Sequence, residues 1–171
     1  MKKKTLKIPE TDDLMAKVRA SMAEAVKSAQ SRVKFNKPLL FGALSAHDIT
    51  SVFVEFDGSG DSGQIDDIGF YRGKSRVSDN DKTRDSLVEG AVIVNNATWD
   101  EKKKEWVRST KTPTITELIE HICYDLLEAN HGGWEINSGC YGTFVFKTKA
   151  SGIELQLNER VESVEHHNET Y

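Results

Sequence analysis

The sequence predicts an α+β fold: an antiparallel sheet of about five or six strands, a long helix packed on one face and an N-terminal amphipathic helix. Three observations predict it. Apolar residues recur every three or four positions in residues 11–34 and again in residues 114–131, as on one face of a helix. Short runs of alternating apolar and polar residues indicate strands. Two such runs, residues 141–149 and 153–157, are joined by a short turn, which is typical of an antiparallel hairpin.

Residues 1–10 are rich in lysine and contain a proline, which predicts a flexible basic lead-in. We expect residues 11–171 to form a single α+β domain, because a chain of this length can bury a sufficient core. The helix over residues 11–34 either packs on the sheet or pairs with a second copy to give a homodimer. Proline interrupts helices, so we predict that this element ends at Pro38 and that residues 39–44 form a separate short helix.

The segment VFVEFDGSGDSGQIDDI, residues 52–68, is the most unusual stretch of the chain. It begins as an apolar strand and then turns into glycines interleaved with acids and serines. Glycine permits positive φ, and Asp and Ser side chains favour turns, so Asp57–Gly63 is predicted to break the strand as a loop. The apolar pattern resumes at Ile65, Ile68 and Phe70, and the loop is therefore predicted to link two strands.

Further along, residues 87–97 are predicted to form a strand and residues 99–109 a hairpin that places Trp99 opposite Trp106. The helix over residues 114–131 has the clearest boundaries. Thr114-x-x-Glu117 is a capping box that marks its start, and a pair of glycines follows its end.

The charge is unevenly distributed. The chain carries a formal net charge of −4, but residues 1–38 hold an excess of basic groups and residues 39–171 an excess of acids. An acidic body argues against direct nucleic-acid binding by that body. The sequence shows neither a membrane-spanning run nor a signal peptide, and its two cysteines fit free thiols in the cytoplasm.

The acidic stretch is the first candidate site, because Asp57, Asp61, Asp66 and Asp67 have no Lys or Arg between them. Such a loop is solvated, holds a cation, or meets basic groups from elsewhere. Asp57, Ser59 and Asp61 have the spacing of the first three ligands of a calcium loop, but Ser62 and Ile68 stand where that loop requires glycine and glutamate. Its Gly-Asp-Ser-Gly letters also occur at protease nucleophiles, where geometry and not sequence defines the triad.

The exit of the second helix is the other candidate. Glu128 and His131 are three residues apart on one face, a spacing that can hold one metal ion, although a histidine also suits a helix C-terminus. We hypothesise that residues 128–137 converge with the acidic stretch at one edge of the sheet. Asp57, Asp61, Glu128 and His131 would then be the ligands of a divalent metal in a metal-assisted hydrolase, the alternative interpretation.

Several segments together resemble a family of small bacterial proteins known only as a domain of unknown function and often carried on mobile elements. The resemblance covers most of residues 39–160 and rests on the segments FDGSGDSGQI (56–65), YDLLEANHGGWEIN (124–137), GCYGTFVF (139–146) and NER (158–160). It implies no activity and no catalytic residue. Cys140 departs from the family pattern, which argues against an essential nucleophile at that position.

The leading functional prediction is a non-enzymatic cytoplasmic binding protein without a cofactor, an inhibitor or accessory factor in conflict between mobile elements and hosts. Its acidic surface would meet a partner protein with a basic surface, with no membrane involved. The predicted partner-binding residues come from the two unusual stretches and are Asp57, Ser59, Asp61, Ser62, Gln64, Asp66, Asp67, Trp134, Glu135 and Asn137.

Overall fold

The computed structural model describes residues 11–94, 98–107 and 109–171, and it confirms the α+β class. The predicted lead-in, residues 1–10, lies outside the described residues. The helices are α1 (Thr11–Ala46) and α2 (Ile115–Asn130). The strands are β1 (Ser51–Arg72), β2 (Ser75–Arg76), β3 (Ile93–Val94), β4 (Thr98–Asp100), β5 (Glu105–Val107), β6 (Thr110–Lys111), β7 (Ile136–Asn137), β8 (Cys140–Lys147) and β9 (Gly152–Glu159). Neither helix is long and apolar enough, over the residues described, to cross a bilayer.

Helix α1 continues through Pro38, so the predicted break there and the separate helix over residues 39–44 are wrong. A proline inside a helix costs about 3 kcal/mol. The turns that follow bury Leu40, Phe41 and Leu44 in the hydrophobic core. Each such side chain contributes about 1.5–3 kcal/mol, which offsets the cost of the proline. Packing therefore overrides the local signal.

Strand β1 is folded back on itself. A straight strand of 22 residues would be about 70 Å long. Instead, the Thr50 N–H donates to the Tyr71 carbonyl at 2.8 Å, and the rings of Phe53 and Tyr71 lie 5.2 Å apart. Gly60, at φ +75°, is the residue of β1 with a positive φ. Residues Asp57–Gly63, predicted as a loop, are therefore extended backbone on both sides of a tight reversal. The prediction that this segment links two neighbouring strand segments is correct.

The main sheet has the order β2–β1–β8–β9, and β7 pairs with β1 outside that path. Its inner face packs against both helices. Val52, Val54 and Phe56 of β1 lie opposite Phe146, Phe144 and Gly142 of β8, and most of these side chains belong to the core.

The other side of the sheet is called the outer face. Across β1, β8 and β9 it presents three rows of paired residues, Phe53–Val145–Glu154, Glu55–Thr143–Gln156 and Asp57–Tyr141–Asn158. Phe53 is 39% exposed and Tyr141 is 44% exposed, so neither helix packs over this face.

The strand predicted over residues 87–97 is much shorter than expected. Only Ile93–Val94 forms a strand, paired with β6, while Leu87 makes a single bridge to Thr114 and residues 95–97 lie outside the described part. A backbone turn interrupts the alternation, since Gly90 has φ +80° and the Ala91 N–H donates to the Val88 carbonyl. The predicted hairpin is confirmed: β4 pairs with β5 and places Trp99 opposite Trp106 in register.

The start of α2 is confirmed in detail. The Glu117 N–H donates to the Thr114 hydroxyl at 3.2 Å, and the Thr114 N–H donates to the Glu117 carboxylate at 3.0 Å. The hydrogen bond from Lys111, together with the backbone bond from Thr114, lowers the pKa of Glu117. The capping box fixes where α2 begins. The length of α2 then places residues 131–137 at the end of the sheet where β1 reverses.

Candidate functional site

The reversed end of β1, residues 57–67, is called the tip, and it rests on Trp134. A Cβ at Gly58 would lie 2.7 Å from the Cε3 of that indole, and a Cβ at Gly63 would overlap the same ring. Both arms of the reversal therefore need glycine where they cross the indole. Phe56 meets the ring edge-on at 5.6 Å, and Trp134 itself is only 8% exposed. Trp134 therefore packs against the buried side of the tip and does not lie on the outer surface.

The segment after α2 also pairs with the tip through its backbone. Gly60 lies opposite Asn137 and Asp61 opposite Ile136 in the β1–β7 ladder. The Ile65 N–H donates to the Tyr124 hydroxyl at 3.3 Å, which ties the returning arm to α2. The predicted convergence of residues 128–137 with the acidic stretch is therefore confirmed.

Arg160 holds the same junction together, and the sequence reasoning gave it no role. Its guanidinium donates to Asp57 Oδ2 at 2.5 Å and to the Gly58 carbonyl at 2.9 Å, and it stacks over the Tyr141 ring at 4.8 Å. The Arg160 N–H also donates to the Gly139 carbonyl at 3.1 Å. The sequence held one signal for this pair. Arg160 follows shortly after a predicted strand, and Asp57, about a hundred residues earlier, has no basic residue near it in the sequence.

The four acids of the tip fall into two groups. Asp57 is paired with Arg160, and Asp67 accepts two bonds from Arg76 at 2.8 and 3.0 Å. Asp61 and Asp66 are exposed, and no basic side chain in the described ranges pairs with either. Glu55, on the outer face, is exposed and equally without a basic partner among the described residues. Among the described acids of the tip and of the central rows of the outer face, the unpaired negative charge is therefore carried by Glu55, Asp61 and Asp66.

The polar residues predicted at the tip line a shallow depression. Asp57, Ser59, Ser62, Gly63, Gln64 and Asp66 surround a volume of about 340 Å³. Gln64 donates to Asp66 at 2.9 Å, so the amide orients that carboxylate. The inward-facing residues of β1 step by three positions from Ile65 to Ile68 and then by two to Phe70. The regular alternation is therefore shifted by one residue at the adjacent acids Asp66 and Asp67. A change of phase of this kind is typical of a β-bulge.

A second cleft, of about 450 Å³, lies between the exit of α2 and strand β9. Its lining includes His131, Asn137, Cys140 and Arg160. Burial raises the pKa of the Cys140 thiol above its usual range, so it stays protonated at neutral pH.

Three predicted residues follow α2. Trp134 lies beneath the tip, Asn137 is exposed at φ +60°, and Glu135 is half-buried with one carboxylate oxygen that finds no hydrogen-bond partner in the part of the chain that the structure describes. The proposed metal ligands, Asp57, Asp61, Glu128 and His131, are not assembled. Within the described ranges, no three His, Cys, Asp or Glu side chains form a group that could hold a metal ion. Asp57 is instead bound by Arg160.

Comparison with known proteins gives one match. The model of the "Family of unknown function (DUF6878)" matches residues 32–171, which include all of the tip, α2 and the outer face. No curated protein and no solved structure matches the chain.

Proposed function

We propose a function for this chain, which belongs to that family of unknown function, from the surface that its sheet leaves open. The outer face and the tip form a binding surface for a partner protein with a basic surface. The observation that carries the proposal is the set of three carboxylates, Glu55, Asp61 and Asp66, exposed and without a basic partner among the described residues. Glu55 lies on the outer face, and Asp61 and Asp66 lie at the tip, so opposite charges on a partner would be attracted to this end of the sheet.

The surface is also preorganised. Gly58 and Gly63 of the tip lie on a buried indole, and Arg160 ties Asp57 to two other segments. A partner therefore meets carboxylates whose backbone is already fixed, which lowers the entropy cost of binding. Between the acids stand Ser59, Ser62 and Gln64, which offer hydrogen bonds with little steric bulk.

The proposed role is binding without chemistry. An exposed acidic surface of this kind would occupy a basic surface that otherwise holds nucleic acid, so the protein would act as an inhibitor or accessory factor. The resemblance to proteins carried on mobile elements supports a role in conflict between such elements and their hosts, in the cytoplasm.

Affinity capture from a bacterial lysate tests the proposal when it includes matched charge variants. The test variant is Asp61→Asn with Asp66→Asn. The control variant is Asp85→Asn with Glu89→Gln, which removes the same charge from two exposed acids outside the tip. We expect a basic partner that the wild type and the control capture equally, that the test variant loses at least about tenfold, and that added salt releases. A partner retained by the test variant would contradict the proposal.

A further inference from the structure

Helix α1 begins as a projecting arm. Residues 13–28, called the arm, are all exposed except the half-buried Val26. The arm nevertheless carries large apolar side chains on its surface: Leu14 is 55% exposed and Val18 is 41% exposed. The buried contacts of α1 begin at Ala29, and from there the helix runs alongside α2.

The second half of α1 carries an open apolar groove. Ser31, Lys34, Phe35, Pro38, Leu39 and Gly90 line a volume of about 660 Å³. Phe35 is 58% exposed at its edge. The groove and the apolar residues of the arm thus lie at opposite ends of one helix.

The two features lie on one line along the helix. Steps of four and three residues, alternating, connect positions 14, 18, 21, 25, 28, 32, 35 and 39, which is the spacing of a coiled-coil seam. The apolar residues stand at its two ends, while Ser21, Ala25 and Ser28 in the middle are small and permit close approach of a second helix. Arg32 is the charged residue of this seam, and its guanidinium already binds Asp125 at 2.5 Å.

We propose that a second copy of this chain covers the seam, with the two α1 helices antiparallel. Reversing the seam against itself places Leu14 opposite Leu39 and Val18 opposite Phe35, so the arm of each copy fills the groove of the other. The two-fold axis then passes between Val26 and Lys27. Such a pairing is isologous, because each copy supplies both the arm and the groove.

The size of the contact fits a stable dimer. The seam from residue 14 to residue 39 covers about 26 residues and ~39 Å of helix. Eight side-chain positions of each copy lie on it, and a seam sustained over more than three heptads is long enough for a coiled-coil pairing. The outer face is on the opposite side of the sheet from α1, so this proposal does not depend on the proposed function.

Sedimentation equilibrium of the full chain over a range of concentrations tests the pairing. We expect a dimer mass for the wild type at tens of micromolar. Val18→Glu in the arm and Phe35→Glu at the groove should each weaken dimerisation at least tenfold, because both place a charge in the seam. Ala23→Glu is the matched control, since Ala23 is exposed on the opposite side of the arm, and it should leave the mass unchanged. A monomer at every concentration, or a dimer that either seam variant leaves intact, would overturn the proposal.

Cross-linking tests the antiparallel register separately. Ala25 lies near the two-fold axis, so Ala25→Cys should be joined to its counterpart in the second copy by a short bis-maleimide. Ala23→Cys, on the far side of the helix, should not. The native Cys123 and Cys140 are buried and do not compete for the reagent. Equal cross-linking of the two variants, or none of Ala25→Cys in a sample that is dimeric by mass, would overturn the antiparallel arrangement.

Discussion

The arm of α1 and the tip of β1 are both rich in charged and small residues, but the rest of the protein treats them differently. The tip is extended backbone that rests on Trp134, pairs with β7 and is tied by Arg160. The arm is regular helix, and Val26 is the one residue among residues 13–28 that is half-buried and not exposed. Regular secondary structure is therefore a poor guide to local stability here. The tip, whose sequence predicts a loop, is held by packing, whereas the arm, a regular helix, is not.

The largest expected effect comes from removing the support of the tip. Trp134→Ala leaves a cavity beneath Gly58 and Gly63 and should destabilise the protein by about 3–5 kcal/mol, as is usual for a buried Trp. Chemical denaturation measures the change. The corresponding change in the arm, Met22→Ala, should shift the free energy of unfolding by less than about 0.5 kcal/mol, because Met22 is an exposed side chain. Similar losses in the free energy of unfolding for Trp134→Ala and Met22→Ala would contradict the claim that packing holds the tip but not the arm.

The backbone contact at the junction gives the next effect. Gly139 has φ +62°, and a Cβ there would overlap the Gly58 carbonyl. Gly139→Ala should therefore cost about 2–4 kcal/mol, the sum of backbone strain and a steric clash. Gly73 is the control, because it has a similar φ of +63° but open space around it. Gly73→Ala should cost only about 1 kcal/mol. Equal thermal shifts for the two variants would contradict the close approach of the Gly139 and Gly58 backbone segments.

Arg160 should have a smaller effect, and one concentrated at the tip. Arg160→Met removes the bonds to Asp57 and to the Gly58 carbonyl, and we expect a loss of about 1–2 kcal/mol because the guanidinium is partly exposed. Lys147→Met breaks the exposed pair with Glu154 and should cost less than about 0.5 kcal/mol. Urea denaturation compares the two. An Arg160 variant as stable as the Lys147 variant would mean that the arginine does not organise the junction.

The smallest effect is expected from the arm itself. Starting the chain at residue 29 removes the whole arm, yet below the concentration at which two copies associate, the free energy of unfolding should change by less than about 0.5 kcal/mol, because the arm buries almost nothing. Thermal denaturation of the dilute protein measures the difference. A loss of several kcal/mol would show that the arm packs on the body of the same molecule.

Much of the fold could be predicted because the relevant signals are local. The capping box at Thr114 and Glu117 fixed the start of α2, and the alternation in residues 141–157 indicated the β8–β9 hairpin. Two features failed because distant packing decided them. Helix α1 passes Pro38 to bury Leu40 and Leu44. Gly58 and Gly63 of the tip allow close approach to an indole about seventy residues later in the chain and do not serve loop flexibility.

The candidate site was predicted in part. The convergence of two distant stretches followed from their shared composition, and the structure confirms it. Its charge pattern could not be read from the sequence. Asp57 and Asp67 are paired with arginines that the chain supplies later, whereas Glu55 looked like an ordinary strand residue and becomes exposed only because neither helix covers the outer face. Pairing partners and uncovered faces are properties of the tertiary structure.

Native-state hydrogen exchange tests the contrast between the two regions most directly. The measurement is best made on the Val18→Glu variant, because association of two copies would otherwise slow exchange of the arm amides. We expect the amide of Ile65, which donates to the Tyr124 hydroxyl, to exchange at least about 100-fold more slowly than those of residues 17–27, a difference of about 2.7 kcal/mol in opening free energy. Exchange at the tip as fast as in the arm would contradict the claim that packing on Trp134 holds the acidic surface in place.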